Sequence, residues 1–443
     1  MASTYLTRTT GTASLNTKMT FSTWIKRSSI SSSVAFFSFS TDGSNELYFR
    51  FQDNDALQVF SQKSGSTIIV RKTNRVFRDV SAWYHLVLQI DTTQVTASNR
   101  IKIYVNGVQE TSFSAETNPN QNETINYVSN ATFEIGRKTT SSNLYMDGSM
   151  SHIHFIDGIA YDATAFGEYD ANGVWKIKTS PSVTYGTNGF FILKDGNSVT
   201  DQSGNGNNFT VGAGTLTKTE DSPSNVFATM NPLDNFYQSA TFSKGNNTIV
   251  TSDTAYAATM STLGMTSGKY YAEMKATNIY NGYSQFGIRG TFVTANSQGA
   301  GQGTDGYAYI ANGGQKRNND SSSAYGTTWN SGDIIGCAVD LDNNYIYWSR
   351  NGTWQNSGDP TSGASGTGAA FSLGTPSSGA YFFAASDNDA DAGTANTFDF
   401  NFGNGYFGTT AVASAGTNAS GNGIFEYDVP TGFTALSTKG LNL

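Results

Sequence analysis

Apolar and polar residues alternate in short runs from Tyr5 to Leu436, and clusters of Gly, Asn, Asp and Ser cut the runs apart. Alternation puts successive side chains on opposite faces of an extended strand, whereas a core-facing helix needs apolar residues at three- and four-residue spacing. Ile101, Ile103 and Val105 take one face, Lys102 and Tyr104 the other, and Asn106-Gly107 then supplies the residues of a tight hairpin turn. The one helical turn expected follows Asp162, which can cap Ala163-Thr164-Ala165-Phe166. Coiled-coil heptads and collagen-like triplets are missing from the sequence, so it carries no fibre shaft of its own. The pattern predicts an all-β chain built from antiparallel sandwiches.

Its 443 residues are enough for two or three domains, each with its own core. Charged residues are 14% of the chain, against about 25% in an average domain, so the surface is expected to hydrogen-bond more than to repel. The net charge of -8 argues against a nucleic-acid partner, because binding there is driven by Lys and Arg displacing counterions from phosphates. A lone Cys337 in an apolar strand pattern excludes an intrachain disulfide and reads as a buried thiol. Neither a signal-peptide core in residues 1–20 nor a run of about 18 apolar residues occurs, so membrane insertion is not expected. A role outside the cell would then follow lysis or assembly rather than secretion.

Two ordered motifs stand in the second half. The first runs from Trp329-Asn330-Ser331-Gly332-Asp333 through Ile334-Ile335-Gly336-Cys337-Ala338-Val339-Asp340 to Tyr345-Ile346-Tyr347-Trp348-Ser349-Arg350-Asn351-Gly352. The second comprises Phe398-Asp399-Phe400-Asn401-Phe402-Gly403, Phe425-Glu426-Tyr427 and Pro430-Thr431-Gly432-Phe433-Thr434-Ala435-Leu436. Together they resemble the SPRY domain, and the resemblance implies a β-sandwich that binds and does not catalyse. In the first half, Tyr5-Leu6-Thr7-Arg8, Met19 to Arg27, Trp83 to Gly107 and Asp147 to Gly158 resemble the strands of a laminin-G-like, concanavalin A-type domain. The pairing, over nearly the whole chain, is similar to a group of bacteriophage proteins regarded as virion structural proteins. It implies tandem concanavalin A-like, jelly-roll sandwiches at 1–211 and 226–443 with a linker at 212–225, and Phe227 to Leu233 is expected to pack between them.

That resemblance implies an external virion component of tail-fibre, adhesin or capsid-decoration type. Its partners would be neighbouring virion structural proteins or host surface polysaccharide, with homo-oligomers around a symmetric virion axis. A chain ending at Leu443 directly after the second domain is expected to dock as a globular unit. A free bacterial lectin-like module is the rival reading, and a glycan-cleaving enzyme a third. The third is disfavoured by the carboxylates: a retaining glycosidase needs two of them about 5 to 5.5 Å apart, yet Glu46, Glu110, Glu134 and Glu273 are each isolated in sequence.

Both halves also contain a Trp, an apolar strand ending in Asp, and a second strand ending in Asn-Gly. Any antiparallel hairpin can look so; two copies of one architecture is the other explanation. For binding, Tyr280, Tyr283, Tyr325 and Trp354 are the aromatic residues placed on loops or just past turns, where a rigid ring with a polar tip can grip a sugar or a protein. Core or hairpin packing is the competing role for all four. Laminin-G-like domains often carry calcium at the sandwich rim, and Asp42, Asn45 and Asp147 supply loop oxygens there; capping of turns is the alternative use of the same groups. The acidic stretch Asp387-Asn388-Asp389-Ala390-Asp391 has the same two readings. His152 and His154, two apart, would share a strand face and could offer imidazoles to zinc or copper, against ordinary half-buried histidines.

Overall fold

The computed structural model describes residues 3–442 except 126–128, 141–143, 195, 235–239, 253–255, 281, 296–297 and 389–394. Its contacts divide the chain into two compact units, 1–218 and 219–443. In the first, an eight-stranded sheet runs in the order Phe113–Thr117, Ser66–Val76, Ala56–Lys63, Asn45–Phe51, Val34–Asp42, Thr132–Ile135, Tyr5–Thr9, Thr210–Ala213. A six-stranded sheet faces it, ordered Phe190–Ile192, Gly148–Asp157, Lys18–Arg27, Trp83–Asp91, Ile101–Val105, Val108–Gln109. Phenylalanines join the two sheets: Phe21 stacks on Phe37 with ring centres 3.9 Å apart, and Phe133 meets Phe155 edge-on at 4.8 Å. One continuous apolar core results.

At the edge of that core the guanidinium of Arg27 is fully enclosed, and its charge is answered by Asp55 at 3.0 Å. A second arginine, Arg78, reaches the other oxygen of Asp55 at 2.8 Å. The helical turn expected after Asp162 is a short 3-10 turn, Ala163–Ala165, and the Asp162 carboxylate accepts from Thr164 N at 2.9 Å as an N-cap does. It is not the one such turn, since Ala97–Asn99, Asn312–Gly314, Gln355–Ser357, Pro360–Ser365 and Gly440–Asn442 also form 3-10 turns. With Phe166 and Trp175 the turn Ala163–Ala165 covers the outer face of the six-stranded sheet.

The second unit repeats the plan. A nine-stranded sheet has the main path Ala240–Ser243, Thr248–Thr251, Thr397–Asn401, Lys269–Asn278, Ile334–Asp340, Tyr345–Arg350, Thr353–Trp354, with Phe371–Ser372 and Thr434–Ala435 at its margins. Opposite lies a six-stranded sheet, Ala257–Met260, Phe382–Asp387, Ser284–Arg289, Gly306–Ile310, Gln315–Asn318, Ser321–Ala324. Trp329, Trp348, Tyr309 and Phe400 fill the space between them. A further core of Tyr271, Tyr347, Phe425, Val429 and Phe433 sits on the other face of the nine-stranded sheet, under the C-terminal segment. The all-β, two-sandwich architecture is the one the alternation predicts.

The paired hairpins agree in more than pattern. Asn106 and Asn351 both take positive φ (49° and 48°), each followed by a positive-φ glycine. Each asparagine also bonds twice to the start of the preceding strand. Asn106 N donates to His85 O and its Oδ1 accepts from His85 N, while Asn351 repeats both bonds with Ile334. At the other end of each hairpin an aspartate pairs with the first lysine of the neighbouring strand, Asp91 with Lys18 at 3.3 Å and Asp340 with Lys269 at 3.0 Å. Ordinary hairpin chemistry does not require that second coincidence, so the structure favours two copies of one arrangement.

Three expectations need correction. The stretch 212–225 is not all linker, because Thr210–Ala213 is a strand paired with Tyr5–Thr9, and Gly212 is there to clear the Tyr5 ring: a Cβ on it would lie 2.2 Å from that ring. Phe227 to Leu233 belongs to the second unit, with Phe227 in its outer core and Met230 in its main core. The histidines do not follow simple alternation either. His152 occupies a β-bulge at φ 48°, where the register shifts between Ser151 and His154.

Candidate functional site

The strand Lys269–Asn278 ends in a loop whose backbone is tied down on several sides. Ile279 N donates to Ser331 Oγ at 2.8 Å, and Tyr280 N donates to Asn396 Oδ1 at 2.6 Å. Gly282 O accepts from Asn312 N at 2.7 Å. The fixed backbone presents two aromatic side chains to solvent, Tyr280 (61% exposed) and Tyr283 (50% exposed). Asn312 and Ser331, which hold the neighbouring Gly282 and Ile279, are exposed and uncharged. Rings on a tethered loop lose little entropy on binding, and the amides and hydroxyls beside them can exchange hydrogen bonds with hydroxyl-rich or peptide partners. Of the four aromatics proposed from sequence, these two are exposed.

The other two do not. Tyr325 is buried, edge-on to Tyr309 and Trp348, with its hydroxyl 3.2 Å from Trp348 N, and burial pushes its phenol far above the usual range. The edge strand Ser321–Ala324 before it is wholly exposed, so the chain turns inward only at the tyrosine. Trp354 is half-buried against the outer core, 6.3 Å from the Tyr271 ring.

The oxygens proposed for calcium are not brought together. Asp42 accepts from Ser44 N at 2.7 Å and from Asn45 Nδ2 at 3.1 Å, bonds that hold its carboxyl below the usual range, and Asn45 Oδ1 accepts from Ser64 N at 2.9 Å. Both residues cap turns. Asp147 lies beyond the opposite end of the strand Val34–Asp42, where Leu144 O bonds to Ala35 N; seven residues of strand separate the two places by about 23 Å. Burial raises the Asp147 carboxyl. Asp387 is buried and accepts from Thr251 Oγ1 at 2.7 Å, while Asp389 and Asp391 lie outside the described residues.

The histidines are likewise occupied. His154 lies flat on Phe191 at 4.0 Å and bonds Tyr185 OH, His152 bonds Ser151 Oγ, and His85 sits between Ser22 Oγ and Trp175 Nε1. Desolvation drives the His85 imidazole down to about 3, so it is neutral at any ordinary pH. Among the described residues no three His, Cys, Asp or Glu side chains converge as metal ligands would. The glutamates are dispersed too: Glu134 is held by Arg137 through two bonds of 2.6 Å, Glu46 by Lys138 at 3.1 Å, and Glu273 is fully buried.

Residues 2–160 match the concanavalin A-like lectin/glucanases superfamily in its laminin-G form, and residues 269–382 match the SPRY domain. Among solved structures, the SPRY domain of human HERC1 is 14% identical over 39% of this chain and 96% of its own, with a TM-score of 0.30. A second human SPRY domain is 18% identical over 35% of this chain and 90% of its own, with a TM-score of 0.27. The heptameric SAP-like pentraxin of Limulus polyphemus is 16% identical over 36% of this chain and 71% of its own, with a TM-score of 0.28. No curated protein matches the chain. The molecule is thus an all-β protein of two sandwich folds. It carries a laminin-G-like, concanavalin A-type domain followed by a SPRY domain.

Proposed function

We propose that the chain is a non-enzymatic binding protein on the exterior of a bacteriophage particle, of adhesin, tail-fibre or decoration type. It contacts host surface glycans or neighbouring virion proteins. The observation that carries the binding role is the pair Tyr280 and Tyr283, exposed on a loop whose backbone is fixed by Ser331, Asn396 and Asn312. The virion role is supported by the order of the two domains, which is similar to that of phage structural proteins. A weakly charged surface suits wet, hydrogen-bonded contacts, and homo-oligomers about a virion axis are the natural arrangement. Catalysis has no part in the proposal, because Glu46 and Glu134 are bound to cations and Glu273 is enclosed.

Mass spectrometry and immunogold electron microscopy of purified particles test the location. Detection at a regular external position supports the proposal. Absence from particles, with abundance in the lysate, makes a free lectin-like module the better reading.

A further inference from the structure

At the end of the nine-stranded sheet remote from Tyr280, a cleft of about 310 Å³ opens beside the start of the strand Lys269–Asn278. Its lining includes Lys269, Tyr270, Asp342, Ser420, Gly432 and Phe433. Tyr270 and Phe433 are almost wholly buried, and the exposed Ala419 and Gly432 also line the cleft. Lys269 is neutralised by Asp340 at 3.0 Å and rests 5.9 Å from the centre of the Phe433 ring. Asp342 spends one oxygen on Gly268 N, at 2.8 Å. Its second oxygen, and the hydroxyl of Tyr270, make no hydrogen bond among the described residues. Burial raises the Tyr270 phenol, and the Asp342 charge adds to the rise.

We infer that this cleft binds a single neutral pyranose residue of a glycan, an inference that rests on the reading of the chain as a glycan-binding protein. A sugar ring has an apolar C–H face and a periphery of hydroxyls that both donate and accept. The carbon of Ala419, Gly432 and the Lys269 stem in the lining meets the first need. A free carboxylate oxygen accepts from hydroxyls, and a phenol and an ammonium donate to their oxygens. Pockets of about 300 Å³ are the small end of ligand sites, which suits one residue rather than an extended chain. With Lys269 already paired, the unbalanced charge is that of Asp342, so uronic acids and other anionic sugars are repelled. The site lies nine residues of strand, about 30 Å, from the tyrosine rim and works independently of it.

The test is calorimetric titration of the full chain with methyl glucoside, methyl galactoside, N-acetylglucosamine and glucuronate, for wild type, Asp342→Asn and Tyr270→Phe. Asp342→Asn keeps the oxygen that accepts from Gly268 and Tyr270→Phe keeps the ring, and an unchanged melting temperature checks that both fold. At least one neutral sugar should bind and glucuronate should not. Each cleft variant should weaken binding about tenfold or more. Sugar binding that survives both cleft variants, or equal binding of glucuronate, overturns the cleft and leaves the glycan reading intact. Binding of whole polysaccharide without binding of any monosaccharide overturns the cleft in the same way. If neither binds, both readings fall.

Discussion

Tyr271 and Glu273 point to the face of their strand that alternation would leave to solvent, yet neither reaches water. The segment after Asn401 folds back over them. Glu273 accepts from Glu426 N and Tyr427 N at 2.9 Å each, from Tyr271 OH at 3.1 Å and from Asn401 Nδ2 at 3.2 Å. One carboxyl therefore pins the covering segment to the sheet. Its removal in Glu273→Ala strands two buried N–H groups, and denaturant unfolding should register a loss of about 3 kcal/mol. Burial pushes this carboxyl from 4.5 up to about 7 despite its four donors. A carboxyl raised in the folded state contributes most below its unfolded pKa and loses that contribution as pH rises through the folded one. Calorimetric scans should show the melting temperature falling between about pH 5 and 8, with a flatter profile for Glu273→Gln. Little near Glu273 in sequence announces this, since apart from Tyr271 its donors come from residues more than a hundred positions away. The two tyrosine classes separate in the same way: Tyr325→Ala should cost about 3 kcal/mol, whereas Tyr280→Ala and Tyr283→Ala should leave the melting temperature unchanged, because those rings pack against little.

At the scale of elements the hairpins were legible because their chemistry is local. Alternation places Ile101, Ile103 and Val105 in the core, and Asn-Gly defines the turn that follows. Asn106→Ala and Asn351→Ala each put a Cβ-bearing residue without a capping amide at positive φ, and each should lower stability by about 1 to 2 kcal/mol in thermal melts. If the hairpins were equivalent only in sequence, the two losses would differ widely. Where the elements were misread, the cause is a contact with a distant residue. Gly212 looks like linker but admits the Tyr5 ring, and the bulge at His152 depends on pairing with the strand Lys18–Arg27. Loop oxygens are ambiguous in sequence because the same groups serve as ligands or as caps, and Asp42 and Asn45 are seen to cap only once Ser44 and Ser64 are found donating to them.

For the whole molecule, the two sandwiches account for stability by packing alone, without a disulfide. Calcium is expected to add nothing at Asp42, Asn45 and Asp147, so thermal melts in millimolar calcium and in chelator should coincide. A rise that chelator reverses would mean that these oxygens are drawn together in solution. In the proposed function the binding surface is the tyrosine rim, which is half visible in sequence: aromatics in an Asn- and Gly-rich loop suggest exposure, but only the fold separates Tyr280 and Tyr283 from Tyr325 and Trp354. The most direct measurement is equilibrium binding of wild type and the Tyr280→Ala/Tyr283→Ala variant to an array of bacterial surface polysaccharides. The account predicts saturable binding by wild type, loss of about tenfold or more in the variant, and intact polysaccharide recovered afterwards. Undiminished binding by the variant, or release of reducing ends by wild type, would contradict it.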